Sequence, residues 1–271
     1  YKLGDTGNWE YVGTLDDGIN WYNSALIKGR PGGDQIGWTS KGAAETTWSE
    51  ARHKLDVLKG KSDVKFRIAY GSDGTSLNND GMAFDNIWIG ERTRYVLLEH
   101  FTNTSNLKCS QATELVNTIA EENPNDVINI QYHTNFPGSD PYYNDNPGDA
   151  SARILFYGLT TAPYSFIDGG NDNENYATLY DYYLSYIDST NVIRRSLINP
   201  IFDITLNPDA TGGILTINGQ IRALEDIYAE NLTLYLAVTE KVNNDTIGAN
   251  GETEFYNVFR KFIPDAGGID M

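Results

Sequence analysis

The alternation of apolar and polar positions divides the chain into three stretches. Residues 1–93 carry short alternating runs, Val64-Lys65-Phe66-Arg67-Ile68-Ala69-Tyr70 and Ala83-Phe84-Asp85-Asn86-Ile87-Trp88-Ile89, set among Gly, Asp, Asn and Trp. Period-two alternation bounded by turn residues predicts the half-buried strands of a β-sandwich. The intervening Gly71-Ser72-Asp73-Gly74-Thr75-Ser76 to Asp80-Gly81 is turn chemistry throughout, long enough for a binding loop rather than a tight hairpin.

Residues 94–198 switch to strand and helix in turn. Tyr95–Phe101 reads as a strand. A helix follows over 108–122, with Ala112, Leu115, Val116, Ile119 and Ala120 on one face and Asn123-Pro124 as its stop. A second strand is predicted at 127–132, a short helix at 149–157 ending at Gly158, and a third strand at 164–167. A further helix would bury Tyr176, Leu179, Tyr180, Tyr183, Leu184 and Ile187. That order implies an α/β layer with right-handed crossovers.

Residues 199–271 return to alternation: Phe202, Ile204 and Leu206; Leu215, Ile217 and Ile221; Leu232, Leu234, Leu236 and Val238; Tyr256, Val258 and Phe262. Four strands are too few to close a sandwich, so further strands are expected downstream. Residue 1 likewise falls within a domain already in progress, as in a trimmed product of a longer chain. The expectation is a multidomain α+β protein: an N-terminally incomplete jelly-roll-like β-sandwich, an α/β domain, and a C-terminally incomplete Ig-like β-sandwich.

Charge narrows the partners. The formal net charge of -17 argues against nucleic acid and anionic membranes, whose binding draws on Lys and Arg. No apolar run approaches the roughly 20 residues of a membrane span. The 26 glycines and 18 tyrosines with one cysteine fit a β-rich, extracytoplasmic protein and leave no internal disulfide. No nucleophile elbow, P-loop or dinucleotide fingerprint is present.

The chemistry centres on Cys109. The strand ending at Phe101 is followed by Thr102-Asn103-Thr104-Ser105-Asn106-Leu107-Lys108-Cys109 at a helix start, with Thr160-Thr161-Ala162-Pro163 before the third strand. These surroundings resemble a thioredoxin-type site, in which the first thiol of a C-x-x-C pair attacks and the second resolves. Spacing from Phe101 puts Asn106 in the attacker's place and Cys109 in the resolver's. In the other register, Cys109 to Ala112, the resolver is missing and monothiol chemistry survives on paper. In neither can a two-thiol cycle run. The resemblance implies a cis Ala162–Pro163 bond, with Ala162 and Pro163 lining a peptide-docking edge.

Leu98-Glu99-His100-Phe101-Thr102, Gln131-Tyr132-His133, Gly138-Ser139-Asp140-Pro141 and Ala162-Pro163-Tyr164 to Asp168-Gly169, with Leu234 to Glu240 and Phe255 to Phe262, resemble the outer membrane protein 28 related family. These are thioredoxin-like surface or secreted proteins of Bacteroidetes. Many members carry two cysteines at the helix start, from which this chain departs at Asn106. In residues 1–93, Gly37-Trp38-Thr39, Trp48, Ala51, Leu55, Phe66 to Tyr70 and Gly81 to Ile87 are similar to MAM-like jelly-roll modules, which bind surfaces, glycans or calcium.

Other candidates are weaker. Asp73, Asp80 and Asp85, with Asn78, Asn79 and Asn86, are oxygen donors suited to calcium, although turn-forming side chains look the same. Asp85, within an apolar strand, would need a partner if buried. His53, His100 and His133 lack metal-ligand spacing and read as structural. Asp140, Asp145 and Asp149, like Asp172 and Glu174, read as solvated acidic loop. Asp188-Ser189-Thr190 and Asp245-Thr246-Ile247 match a short O-glycosylation pattern at Ser189 and Thr246. The chain is thus expected to be non-enzymatic and without a resident cofactor, calcium apart, with a surface protein, peptide or glycan as partner. A monothiol reductase or isomerase, and a carbohydrate- or calcium-binding accessory module, are the alternatives.

Overall fold

Seven consecutive residues, Val96–Thr102, form the strand about which the larger part of the molecule is ordered. The computed structural model describes residues 1–33, 35–39, 48–72, 81–90, 94–171, 177–224, 226–228 and 231–271. It separates into two units, Tyr1–Glu91 and Arg92–Met271, and the architecture is mixed α and β with several sheets.

In the first unit, β1 (Lys2–Leu3) pairs antiparallel with β2 (Val64–Lys65), and single bridges join Ile19 to Arg52 and Ser24 to Gly37. The jelly-roll strands expected over residues 1–93 are not built among the described residues. Val64–Tyr70 is strand only over its first two residues, and Ala83–Ile89 is exposed and irregular. A strand needs a neighbour for its backbone groups, and β2 meets a partner only two residues long. The unit is instead held by aromatic contacts, in which Trp21 lies 4.8 Å from Trp38 and 5.0 Å from His53 between ring centres.

The second unit runs β3 (Val96–Thr102), α1 (Leu107–Glu122), β4 (Val127–His133), α2 (Pro141–Asp145), α3 (Pro147–Phe156), β5 (Tyr164–Ile167), β6 (Leu179–Asp181), α4 (Ser189–Ser196), β7 (Phe202–Thr211), β8 (Ile214–Ala223), β9 (Thr233–Leu234), β10 (Leu236–Asn243), β11 (Phe255–Ile263) and β12 (Ile269–Asp270). Six strands form one sheet in the order β10-β11-β4-β3-β5-β6. β4 runs parallel to β3 and β11, while β5 is antiparallel to β3 and β6.

Both faces of this sheet are covered. Val96 and Leu98 on one side pack with Ala112, Val116 and Ile119 of α1 and Val192 of α4. Phe101, Tyr132 and Phe166 on the other pack with Ile154 of α3. The helix starts follow their sequence. Asn106 and Asn146 cap α1 and α3, and Asp140 caps α2 immediately before Pro141 at its first position.

Two expectations are corrected here. Tyr176–Ile187 is not a helix over its described part: Leu179–Asp181 is an edge strand and the helix comes later, at Ser189–Ser196. Thr178, Tyr180 and Tyr182 are buried while Leu179 and Tyr183 are exposed, a period of two that a tyrosine-rich stretch serves better than a helical stripe.

Residues 199–271 do not form a separate Ig-like sandwich. β10 and β11 extend the central sheet beyond β4. The reason lies in β11, which buries Phe255 and Val258 in one cluster and Phe259 and Phe262 in another. Burial on both faces belongs to an inner strand of an α/β sheet. Phe259 sits 4.6 Å from Tyr132 between ring centres, which locks the two strands together. β7 and β8 stand apart as a two-stranded hairpin, turned at Gly212-Gly213, both at positive φ as a tight hairpin turn requires.

Candidate functional site at the start of helix α1

The loop Asn103–Asn106 carries the chain from β3 into α1, and Asn106 organises it. Its side-chain oxygen accepts from the Lys108 amide at 2.9 Å, closing the helix N-terminus. Its side-chain amide donates to the Ala162 carbonyl at 3.2 Å and to the Tyr183 hydroxyl at 2.8 Å. The Ala162–Pro163 bond is cis. The structure therefore brings Asn106 against the cis Ala162–Pro163 loop, with Cys109 one turn further along α1.

Cys109 lies one turn further along, fully buried. Burial pushes its thiol up to about 12; weaker hydrogen bonds from the Asn103 backbone and Thr102 oppose this, and the Glu252 and Asp140 carboxylates add to it. A thiol held that far above neutrality stays protonated at physiological pH. Proximity to a helix N-terminus does not overcome that desolvation.

Buried polar groups hold the loop from beneath. Asp140 accepts from the Thr104 amide at 2.7 Å and contacts His133 Nδ1 at 2.9 Å, while its other oxygen caps α2 through the Tyr142 and Tyr143 amides. Burial alone would raise this carboxyl, but the His133 contact and the backbone donors outweigh it and hold it below the usual range. His100 is enclosed between Ser165 Oγ at 2.8 Å and Thr113 Oγ1 at 3.3 Å. Burial and the nearby His133 lower it to about 3, so it is neutral at physiological pH.

The loop between β10 and β11 closes the site from the other end of the chain. The Asn250 amide donates to the Thr104 carbonyl at 2.9 Å, and its side chain donates to the Asn106 carbonyl at 3.2 Å. Glu252 beside it is partly buried, which raises its carboxyl. Outside, Leu107, Tyr183, Leu184 and Tyr186 are exposed around the helix start, and Lys108 lies 4.3 Å from the Tyr186 ring centre.

The remaining candidates are scattered. Asp73 and Asp80, like Asp172 and Glu174, lie outside the described residues. Asp85 is exposed and accepts from the Asn86 amide at 2.8 Å, so it is a turn residue rather than a buried strand carboxylate. Among the described residues no group of three or more His, Cys, Asp or Glu is arranged to hold a metal, and no helix is long and apolar enough to cross a membrane. Ser189 is exposed at the start of α4, and Thr246 is half-buried in the β10–β11 loop. Of Asp140, Asp145 and Asp149, expected as a solvated acidic loop, only Asp145 is exposed. Asp140 is fully buried, Asp145 pairs with Arg260 at 2.7 Å, and Asp149 accepts from the Phe262 amide at 2.8 Å.

Sequence reasoning passed over Asp140 as an organiser, although Asp-Pro before a helix is a start signal. It also passed over Asn250 and Glu252, for which no local signal exists.

No family model matches the chain, and no curated protein matches it. Two solved structures are similar. HBP35 of Porphyromonas gingivalis aligns with a TM-score of 0.50 at 14% identity over 68% of this chain and 61% of that one, a likeness of fold. This chain thus spans about three fifths of that solved chain. A protein of Agrobacterium tumefaciens aligns with a TM-score of 0.40 at 13% identity, over 64% of this chain and 73% of its own.

Proposed function

We propose that the second unit is a thioredoxin-like module without thiol chemistry, serving as a binding part of an extracytoplasmic, surface-associated protein. The observation that carries this reading is the pair Asn106 and Cys109. The residue at the helix start is an amide tied to Ala162, and the only cysteine is buried one turn behind it. An enzyme of this kind needs an accessible thiolate in the first turn.

The strand order around β3 supports the module assignment, and the acidic, glycine- and tyrosine-rich composition supports a place outside the cytoplasm. Exposed Leu107, Tyr183, Leu184 and Tyr186 provide the contact face, with rings that present an apolar body and a polar tip. A protein surface or peptide is the partner such a face suits.

The reading is tested by insulin reduction with dithiothreitol as electron source, together with iodoacetamide labelling of the native chain. The expected result is turnover at the dithiothreitol background and labelling only on unfolding. Turnover above background that is lost in Cys109→Ala would establish the monothiol alternative instead.

A further inference from the structure

Asn129, Gln131 and His133 form a polar row on one face of β4. They alternate with Ile128, Ile130 and Tyr132, so all three project onto the face that α1 covers, where Val127 packs with Val116 and Ile119. They are 6%, 0% and 3% exposed. Gln131 Nε2 donates to Asn117 Oδ1 of α1 at 2.6 Å, and His133 Nδ1 contacts Asp140 Oδ2 at 2.9 Å. Four other buried atoms of the row meet no hydrogen-bonding group among the described residues: Asn129 Nδ2 and Oδ1, Gln131 Oε1 and His133 Nε2.

The neighbouring strands explain why. β3 sets Leu98, His100 and Thr102 directly beside Asn129, Gln131 and His133, and β11 sets Val258 beside Gln131. Leu98 and Val258 offer no polar side-chain atom. His100 engages Ser165 and Thr113 through its two ring nitrogens, and Thr102 meets Thr113. A buried polar atom left without a partner carries its full desolvation cost, and native proteins satisfy such atoms with protein groups or with bound water.

We propose that this row binds water, as a short file of buried molecules beneath α1 that leads from Asn129 past Gln131 to His133 Nε2. The chemistry of the four atoms selects the ligand. The Asn129 nitrogen only donates, and the two carbonyl oxygens only accept. A cation would be opposed by the donor and an anion by the acceptors, whereas a molecule that both donates and accepts suits all of them. Water is the molecule of that kind small enough for groups so enclosed. Same-face neighbours on a strand are about 7 Å apart, a gap that two side chains close through one bridging molecule with hydrogen bonds of about 2.8 Å. The file ends on the ring that contacts Asp140, and that ring in turn acts on the Glu252 carboxyl. It thus hydrates the buried polar base of the Asn103–Asn106 loop from within.

The test is solution NMR of the isotopically labelled full chain. Water-selective spectra, with rotating-frame experiments separating dipolar contact from proton exchange, are expected to show long-lived water at the side-chain amides of Asn129 and Gln131. A second measurement reads the continuity of the file. Asn129→Leu removes its far end, about 13 Å from His133 along the strand, and should shift the His133 Nε2 resonance. Positions so far apart and without a shared partner are normally independent. Ile130→Val lies nearer to His133 but on the opposite face, and should leave that resonance in place. Gln131→Met keeps the length of its side chain and interrupts the file at its middle, so it serves as a second variant should Asn129→Leu fail to fold. Near-UV circular dichroism of the aromatic core checks the folding of each. Absence of bound water at both amides, or a His133 resonance that the two interruptions leave unmoved, overturns the proposal. Contact of the Asn129 amide with a protein group in place of water does so too, because the chain itself would then be the partner.

Discussion

Asn106 donates its side-chain amide to the carbonyl of Ala162, 56 residues away in sequence, while its side-chain oxygen caps α1. One residue therefore fixes both the helix N-terminus and its distance from the cis-proline loop. The two functions separate by substitution. Asn106→Asp keeps a capping oxygen and adds a favourable charge at the positive helix end, but loses the donor. Asn106→Ala loses both. Urea unfolding should show a loss of about 1–2 kcal/mol for Ala and a smaller loss for Asp. Equal losses would mean that the tether to Ala162, and not the cap, is what matters.

Cys109 should behave as a small apolar residue. Its burial at the sheet-facing side of α1, beside Thr102 and Thr113, predicts that Cys109→Ala lowers stability by only about 1 kcal/mol, the scale of one lost buried group. Cys109→Ser places a hydroxyl in the same enclosed space and is expected to be the more costly of the two. Reversal of that order, measured by thermal unfolding, would show that the site is polar enough to satisfy a hydroxyl.

Much of this arrangement is legible in the chain itself, and the remainder is not for definite reasons. The helix of residues 107–122 announces itself through apolar spacing and a following proline, and Tyr164–Ile167 through three apolar or aromatic residues about Ser165 beside a proline. Spacing from Phe101 also puts Asn106 at the helix start. Tyr180 fits helical and strand periodicities alike, whereas burial of Tyr182 in place of Tyr183 fits only the strand, and the neighbouring β5 decides between them. Nothing in Phe255–Ile263 says which sheet it joins, since alternation encodes a strand but not its partner. The clamp of Asn250 on Asn106, across 144 residues, has no local signature at all.

A buried ion pair lies on the opposite face of the sheet. Arg153 donates through Nε to Glu99 Oε1 at 2.7 Å and through Nη2 to Oε2 at 2.8 Å, with the Tyr157 hydroxyl donating to the same carboxylate. Glu99 is 1% exposed. Removing only the cation strands a carboxylate in the core, so Arg153→Met should cost about 3–5 kcal/mol. The double variant Glu99→Leu/Arg153→Met removes both charges and should recover most of that loss. A double variant no more stable in urea than Arg153→Met would show that packing of the Arg153 stem, rather than the stranded charge, sets the penalty.

His100 makes stability depend on pH in a direction its surroundings determine. The ring is wholly buried between α1 and β5, and burial together with His133 lowers it from 6.5 to about 3. Between those values the unfolded chain binds a proton that the native protein refuses. Stability contributed by the neutral ring is therefore fully present above about pH 6.5 and is lost on acidification, by up to about 1.4 kcal/mol per pH unit. Asp140, held below its usual range, adds to the loss only near and below its reference value of 3.8. Glu252 acts oppositely, because its raised carboxyl makes the native state the better proton binder just above 4.5. Its contribution is common to wild type and variant, so it cancels in a comparison of the two. His100→Gln keeps hydrogen-bonding groups for Ser165 and Thr113 but cannot titrate. It should be less stable than wild type at pH 7, and the gap should narrow at pH 5. Urea midpoints at the two pH values measure the gap, and one that stays constant would place the acid sensitivity elsewhere than in His100.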